Sequence, residues 1–173
     1  MKPLVTILVA ASLHAALASS ARSASEADRQ ALQDIGCVRV LVEQMDTRAD
    51  RDGFLADTYA TDVEQRLRQS GICVLSADDP AAASDAPYLY VRVAMMPQDV
   101  ERRTYAFATT MELFEAMSPQ RRPAAVLTAS AWAGRGAIGA VGRERRDAIR
   151  DRVRELADQF VRAYMTANRK AVR

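Results

Sequence analysis

The amino-acid sequence predicts an α+β fold, a two-layer sandwich in which two helices pack on one face of a mixed sheet of about five strands. Five short segments are predicted to be strands, and in three of them the apolar residues alternate onto one face, as in strands with one buried face. Two longer segments repeat apolar residues every three or four positions, which is typical of amphipathic helices. Along the chain these segments follow the order β-α-β-β-β-β-α.

The first half of the chain predicts a β-α-β unit. Residues 36–43 alternate as a strand, and residues 45–53 form a polar loop. Residues 55–69 predict a helix that ends before Gly71, a residue suited to terminating helices. A short strand follows at residues 72–75. A right-handed crossover through the helix makes the two strands parallel neighbours.

The second half predicts an antiparallel meander and a long helix. We expect three strands at residues 88–96, 104–116 and 124–133, joined by short loops. The helix is expected at residues 143–167. Residues 134–139 (GRGAIG) match the G-x-G-x-x-G pattern of dinucleotide sites. No later strand supplies the acidic residue or the parallel unit that such a site needs. The segment is therefore interpreted as a flexible, glycine-rich connection between strand and helix.

The amino-terminal segment has the pattern of a secretory signal peptide. Lys2 precedes a run of uncharged, mostly apolar residues, and Ala16-Leu17-Ala18 forms an A-x-A cleavage site. The apolar run is shorter than the roughly 20 residues that span a bilayer. We therefore expect a signal peptide at residues 1–18, a loose mature amino terminus at 19–34, a single α+β domain at 35–168 and a carboxy-terminal tail at 169–173. The expected location is the periplasm, with no integral membrane span after cleavage.

Composition argues against most catalytic and metal sites. The single histidine, His14, lies in the predicted signal peptide, so the mature chain lacks the residue that most nucleophilic triads and zinc sites require. Glu112 and Glu115 are three positions apart on a strand and point to opposite faces. With 24 basic and 22 acidic residues, the charge balance does not favour nucleic acid. We therefore predict no catalytic residue, no metal, no cofactor and no enzymatic activity.

Two cysteines form a candidate disulfide. Cys37 and Cys73 lie near the starts of the first two strands, which are expected to be parallel neighbours. An even number of cysteines in an oxidising compartment favours a bridge. The alternative is a pair of buried free thiols that pack as small apolar side chains.

Two groups of residues are candidates for an interaction surface. Tyr88, Tyr90 and Arg92 alternate onto the sheet face that the helices leave uncovered. The alternative is an ordinary half-polar sheet face. A second group, Arg143, Arg145 and Arg146, crowds the first turn of the last helix, where cations oppose the helix dipole. Those arginines are candidates for binding phosphate or lipid head groups. The alternative is an ordinary solvent-exposed surface, because acidic residues are interleaved with them.

Several segments resemble a family of small exported proteobacterial proteins. They are DVEQRLRQSGI, PYLYVRV, YAFATTMELFEA, the small-residue strand through Trp132 and IRDRVRELADQFVRAYMTAN. More loosely, the element order is similar to envelope α/β accessory domains, such as the amino-terminal domain of the Tol system's propeller protein and the auxiliary lipoproteins of outer-membrane transport. The resemblance implies binding to other envelope components and brings no catalytic residue. The chain lacks the acylated cysteine of the lipoproteins.

Together these observations predict a non-enzymatic periplasmic accessory domain that binds an envelope protein through a sheet face or edge. The alternative is a small-ligand or lipid carrier with a pocket between the helices and the sheet, anchored by the arginine-rich turn. A homo-oligomer is compatible with both hypotheses.

Overall fold

A computed structural model describes residues 26, 29–76, 79, 86–99, 101 and 103–168. The predicted signal peptide, the predicted carboxy-terminal tail and most of the predicted loop at residues 76–87 lie outside these residues. The described elements are β1 (Cys37–Val42), α1 (Thr47–Arg51), α2 (Ala56–Gln69), β2 (Cys73–Val74), β3 (Tyr88–Asp99), β4 (Thr104–Met117), β5 (Leu127–Ala133), β6 (Ala137–Gly142), a 3₁₀ turn (Arg143–Arg145) and α3 (Asp147–Ala167).

The fold is α+β with a mixed sheet, as the sequence predicts. The strand order is β2-β1-β3-β4-β5, with β6 also paired to β4. β1 runs parallel to both β2 and β3, whereas β4 runs antiparallel to β3, β5 and β6. β5 pairs with the second half of β4 and β6 with the first half, so these two short strands lie end to end along one edge of β4.

Three elements differ from the sequence-based expectations. The predicted polar loop at 45–53 contains helix α1, whose first turn is capped because the Asp46 side chain accepts a hydrogen bond from the Arg48 N–H. The predicted flexible connection contains strand β6. The predicted loose segment is helical at residues 29–32, and Leu32 is completely buried, so the packed domain begins before residue 35.

Both long helices pack on the same face of the sheet. The inward side chains of β3 and β4 are fully buried against those of α2 and α3; they include Leu89, Val91, Met111, Leu113, Val63, Leu67, Ile149, Val153 and Phe160. Trp132 of β5 meets the Phe160 ring edge-on at 5.2 Å, which extends this core under the last helix. The interior between helices and sheet is therefore filled by side chains.

A buried carboxylate connects the two long helices. Asp62 of α2 accepts two hydrogen bonds from the Arg150 guanidinium, at 2.5 and 2.8 Å, and Arg154 Nε lies 3.1 Å from the same carboxylate. The hydrogen bonds from Arg150 lower the pKa of Asp62, although burial acts in the opposite direction. The ion pairs compensate the cost of burying this carboxylate and fix the relative position of α2 and α3.

The glycine-rich turn between β5 and β6 is held firmly in place. A Cβ on Gly136 would lie 1.9 Å from the carbonyl oxygen of Thr109, so only glycine allows this close approach to β4. The Gln159 side chain of α3 accepts from the Arg135 N–H at 2.8 Å and donates to the Arg135 carbonyl at 3.3 Å. Because the backbone contacts both β4 and α3, these residues form a fixed turn between strands and not a flexible connection.

The two ends of the described domain meet. Asn168 follows α3, and its side chain donates to the Leu32 carbonyl at 2.8 Å and accepts from the Asp34 N–H at 3.0 Å. The Tyr164 hydroxyl donates to the Ile35 carbonyl at 2.9 Å. The last turn of α3 is thereby fastened to the segment that leads into β1.

Candidate functional site

The sheet face opposite the long helices forms an uncovered surface, which we call the open face. Side chains alternate onto it from each long strand, and the strand registers align them in rows. One end, the aromatic half, consists of Arg39, Leu41, Glu43, Tyr88, Tyr90, Arg92, Thr110, Glu112 and Phe114. The other end, the alanine half, consists of Ala94, Met96, Ala106, Ala108, Ile138 and Ala140.

Three rings pack together in the aromatic half. The Tyr88 and Phe114 rings are stacked with centroids 5.4 Å apart, and Tyr90 meets Phe114 edge-on at 6.2 Å. The Arg39 guanidinium lies over the Tyr88 ring, 5.6 Å from its centroid. All three aromatic side chains are half-buried, so the cluster is fixed in position while one side of it stays accessible.

Charged groups surround this cluster. Arg92 Nε lies 2.9 Å from a carboxylate oxygen of Glu43, across the end of β1. Partial burial raises the pKa of Tyr90, and the neighbouring Glu43 carboxylate raises it further. Tyr88, Tyr90 and Arg92 thus lie together, on the face and strand that the sequence indicated. Their role in binding stays a prediction.

The alanine half is apolar and consists mostly of small side chains. Ala94, Ala108 and Ile138 form one row across β3, β4 and β6, while Met96, Ala106 and Ala140 belong to the next. Small side chains line the centre, and two large apolar side chains stand at the margins: Ile138 is 89% exposed and Met96 is 62% exposed. Small central residues allow another surface to approach closely, and exposed apolar side chains of this size gain free energy when covered.

The three arginines before α3 do not form one site. Arg143 and Arg145 lie in the 3₁₀ turn and Arg146 is the residue preceding α3, so the prediction that they occupy the helix's first turn is wrong. The Arg143 side chain approaches buried Asp52, with Nε 3.8 Å from the carboxylate. Arg145 borders the space beside β6, and Arg146 lies near Gly53. Arg143 and Arg146 line a common cavity of about 330 Å³, which Arg145 does not line. The binding of a ligand by these arginines stays a prediction.

Asp52 is the centre of a polar cluster that the sequence did not reveal. Its buried carboxylate accepts a 2.6 Å hydrogen bond from the Tyr105 hydroxyl and a 3.0 Å bond from Arg103. Burial and the bond to Asp52 raise the pKa of Tyr105 to about 12. An open cavity of about 360 Å³ beside it is lined by Arg48 and Arg51 as well. Tyr105 and Arg103 satisfy the buried carboxylate, so the cluster holds α1 against the β3–β4 turn.

A disulfide joins Cys37 to Cys73. The two Sγ atoms lie 2.11 Å apart and the two Cα atoms 4.5 Å apart, and the residues face each other directly in the β1–β2 pair. Because β2 has only two residues in its ladder, the bridge is the strongest attachment of this strand to the sheet.

The carboxylates of the sheet do not converge. Glu112 and Glu115 of β4 lie on opposite faces, and burial alone raises the pKa of Glu115. Within the described part of the chain, no group of three or more His, Cys, Asp or Glu side chains is arranged to hold a metal ion. No helix of the described ranges is long and apolar enough to cross a membrane.

Comparison with known proteins finds similarity in solved structures alone. No protein-family model matches the chain, and no curated protein does. A minor lipoprotein from Acinetobacter baumannii is 12% identical with a TM-score of 0.41, covering 78% of this chain and 93% of its own. The PelC dodecamer from Paraburkholderia phytofirmans is 14% identical with a TM-score of 0.43 and coverages of 78% and 90%. The rare lipoprotein B from Shewanella oneidensis is 12% identical with a TM-score of 0.36 and coverages of 75% and 94%. At these values nothing about a site in this chain follows from them.

Proposed function

We propose that this protein is a non-enzymatic interaction domain of the periplasm that binds an envelope component through the open face of its sheet. The observation that carries this proposal is the alanine half, an apolar surface of mostly small side chains that no described element covers. Both long helices pack on the other face, so the fold leaves this surface to solvent or to a partner. The periplasmic location is supported by the signal-peptide pattern of residues 1–18.

The two halves of the open face suit different parts of a protein interface. The alanine half supplies apolar area without long side chains to immobilise, which limits the entropy lost on binding. The aromatic half supplies tyrosines and arginines, the residue types that contribute most to binding free energy at interfaces. Tyr88, Tyr90 and Arg39 are already held by neighbours, so a partner would meet them in a fixed arrangement.

The alternative of a carrier with an internal pocket has less support. Side chains of the core fill the space between helices and sheet, and the largest of them are fully buried. The described cavities, of about 240–460 Å³, open at the molecular surface. An apolar ligand enclosed between the two layers would have to displace these packed side chains.

The proposal is tested by crosslinking the tagged, exported protein in intact cells and identifying captured envelope proteins by mass spectrometry. Ala108→Glu places a charge in the middle of the alanine half, and Tyr90→Ala with Arg92→Ala disrupts the aromatic half. Gln65→Glu on α2 is the control, since this exposed residue lies on the opposite layer. We expect one reproducible partner that both face variants lose and the control retains. Retention of the partner by both face variants would contradict the proposal.

A further inference from the structure

A groove runs between β6 and the beginning of α3. It has a volume of about 460 Å³ and opens to solvent. β6 forms one wall, and the 3₁₀ turn and first turns of α3 form the other with Glu144, Arg145, Ala148 and Arg152. Phe107 of β4 also lines it. The groove is therefore bounded by a strand edge on one side and a helix on the other.

The wall formed by β6 has free backbone hydrogen-bonding groups. Within the described sheet β6 pairs with β4 and with no other strand. The N–H groups of Ala137 and Arg143 point toward β4, to the Thr109 side chain and the Arg103 carbonyl. Because backbone groups alternate in direction along a strand, those of Ile138, Ala140 and Gly142 point away from β4, into the groove.

This edge lacks the features that usually protect an edge strand from pairing. The free half of β3 carries Arg92 and Pro97, and β2 is only two residues long. By contrast, β5 (LTASAWA) and β6 (AIGAVG) contain neither a charge nor a proline, and of these two strands only β6 borders the groove. An unprotected edge beside a groove is the arrangement that accepts an additional extended strand.

Glycine at position 139 exposes an apolar contact in the groove. A Cβ on Gly139 would lie 3.0 Å from two carbon atoms of the Phe107 ring. Without that Cβ, the half-buried ring is accessible from the groove, and half-buried Ala148 lies on the opposite wall. A side chain of an added strand, at the position beside Gly139, would contact the ring directly.

The charges select the kind of strand. Arg145, Arg152 and Glu144 line the groove. Arg152 is already paired with Glu155 at 2.7 Å, whereas Arg145 forms no ion pair within the described residues, so its guanidinium can pair with an acidic side chain of an added strand. In the antiparallel register that joins the three free positions of two β6 strands, the turn that contains Arg135 in one copy comes near the 3₁₀ turn that contains Arg145 in the other. Positive groups brought together at an interface are unfavourable, which disfavours a second copy as the occupant. An acidic segment from a different protein meets no such repulsion.

We propose that the edge of β6 binds an extended segment of a partner protein by strand addition. The segment carries an apolar residue beside Gly139 and an acidic residue near Arg145. This inference rests on the proposed interaction function and assigns it a second contact, next to the alanine half. The added strand would continue the sheet and enlarge the open face by one strand.

The test is a selection, from a displayed library of random ten-residue peptides, of those that bind the purified protein. We expect enriched peptides with alternating apolar residues and at least one acidic residue. Ala140→Pro removes an N–H that points into the groove and should weaken binding about tenfold or more. Ala140→Val keeps that N–H and should retain binding. Gly139→Ala covers Phe107 and should weaken binding severalfold, and Arg145→Glu should weaken binding of acidic peptides.

The neighbouring edge strand supplies a matched control. Gly134 donates its N–H to β4, so the N–H of Ala133 points outward, and Ala133→Pro makes the same change on β5. We expect Ala133→Pro to bind the peptides as the unmodified protein does. Circular dichroism and thermal unfolding verify that each variant is folded.

Three results would overturn strand addition at β6. The first is that no peptide is enriched, and the second is that Ala140→Pro binds the peptides as tightly as the unmodified protein does. The third is that the unmodified protein forms a dimer that Ala140→Pro dissociates, because a second copy would then be the occupant of the edge. Each can occur while the crosslinked partner is still lost by Ala108→Glu. Failure of this inference is therefore distinguishable from failure of the proposed function.

Discussion

Replacing Asp62 by asparagine is expected to destabilise the protein by about 2 kcal/mol. The substitution keeps the size of the side chain and removes the charge that accepts from Arg150 and pairs with Arg154. Hydrogen bonds to charged groups contribute about 1.5–3 kcal/mol. The Arg150 side chain is 37% exposed, and solvent screening places the expected value in the lower part of that range. For a domain of this size, the melting temperature should fall by roughly 6 °C.

Asp158 of α3 provides the control because it pairs with Arg66 of α2 across the same two helices. This pair is exposed, and exposed ion pairs contribute about 0–1 kcal/mol. Urea unfolding followed by circular dichroism should therefore show a much smaller effect for Asp158→Asn. If both substitutions cost the same, burial of the Asp62 ion pairs is not what fixes α2 against α3.

The same pair of proteins gives a pH test of the mechanism. Arg150 lowers the pKa of Asp62 in the folded state, so its contribution to stability is full above the unfolded pKa of about 4. The contribution is lost as the pH falls through the folded pKa. The stability difference between the unmodified protein and Asp62→Asn should therefore be constant near neutral pH and narrow in acid. A difference that grows below pH 4 would refute the assigned charge interaction.

Three further substitutions test other parts of the fold. Gly136→Ala should destabilise the protein by about 1–3 kcal/mol or prevent folding, because the added Cβ would collide with a carbonyl oxygen of β4. Gly36→Ala is the control: a Cβ added there meets no atom within 4 Å, so thermal unfolding should show little change. Removing the disulfide by Cys37→Ala with Cys73→Ala should cost about 4 kcal/mol of loop entropy in urea unfolding, and an unchanged midpoint would contradict this. Tyr105→Phe should cost about 1.5–3 kcal/mol near neutral pH; this difference should disappear as the pH rises through about 12, the folded pKa of the tyrosine.

The main layers of the fold could be predicted because their apolar patterns are long and regular. β3 and β4 alternate over most of their length, and α3 repeats buried residues from Ile149 to Phe160. Such patterns determine the buried face of each element before any tertiary contact is known. The parallel arrangement of β1 and β2 also followed, since a helix separates them.

β6 could not be predicted because its strand character comes from pairing with β4. Two glycines in AIGAVG lower its intrinsic preference for a strand, and no alternation is visible in so short a segment. α1 has five mostly polar residues, too few for a periodic pattern, and buries only Ala49. The capping residue Asp46 was the one available signal for it.

The candidate site was also only partly predictable from the sequence. Alternation along β3 is enough to put Tyr88, Tyr90 and Arg92 on one face. The environment of Asp52 depends instead on Arg103 and Tyr105, which are more than 50 positions away in the sequence. A local pattern carries no information about such a contact.

The hydrogen bonds between Asn168 and residues 32–34 hold the first and last elements of the described domain next to each other. A short linker could join residue 168 to residue 29, and the chain could then be opened elsewhere without separating the packed elements. α3 has 21 residues and a length of about 31 Å, and the β6 groove lies at its start while the joined ends lie at its finish. A linker or fusion partner joined directly at residue 168 would therefore begin at the opposite end of α3 from the groove, which leaves the groove accessible.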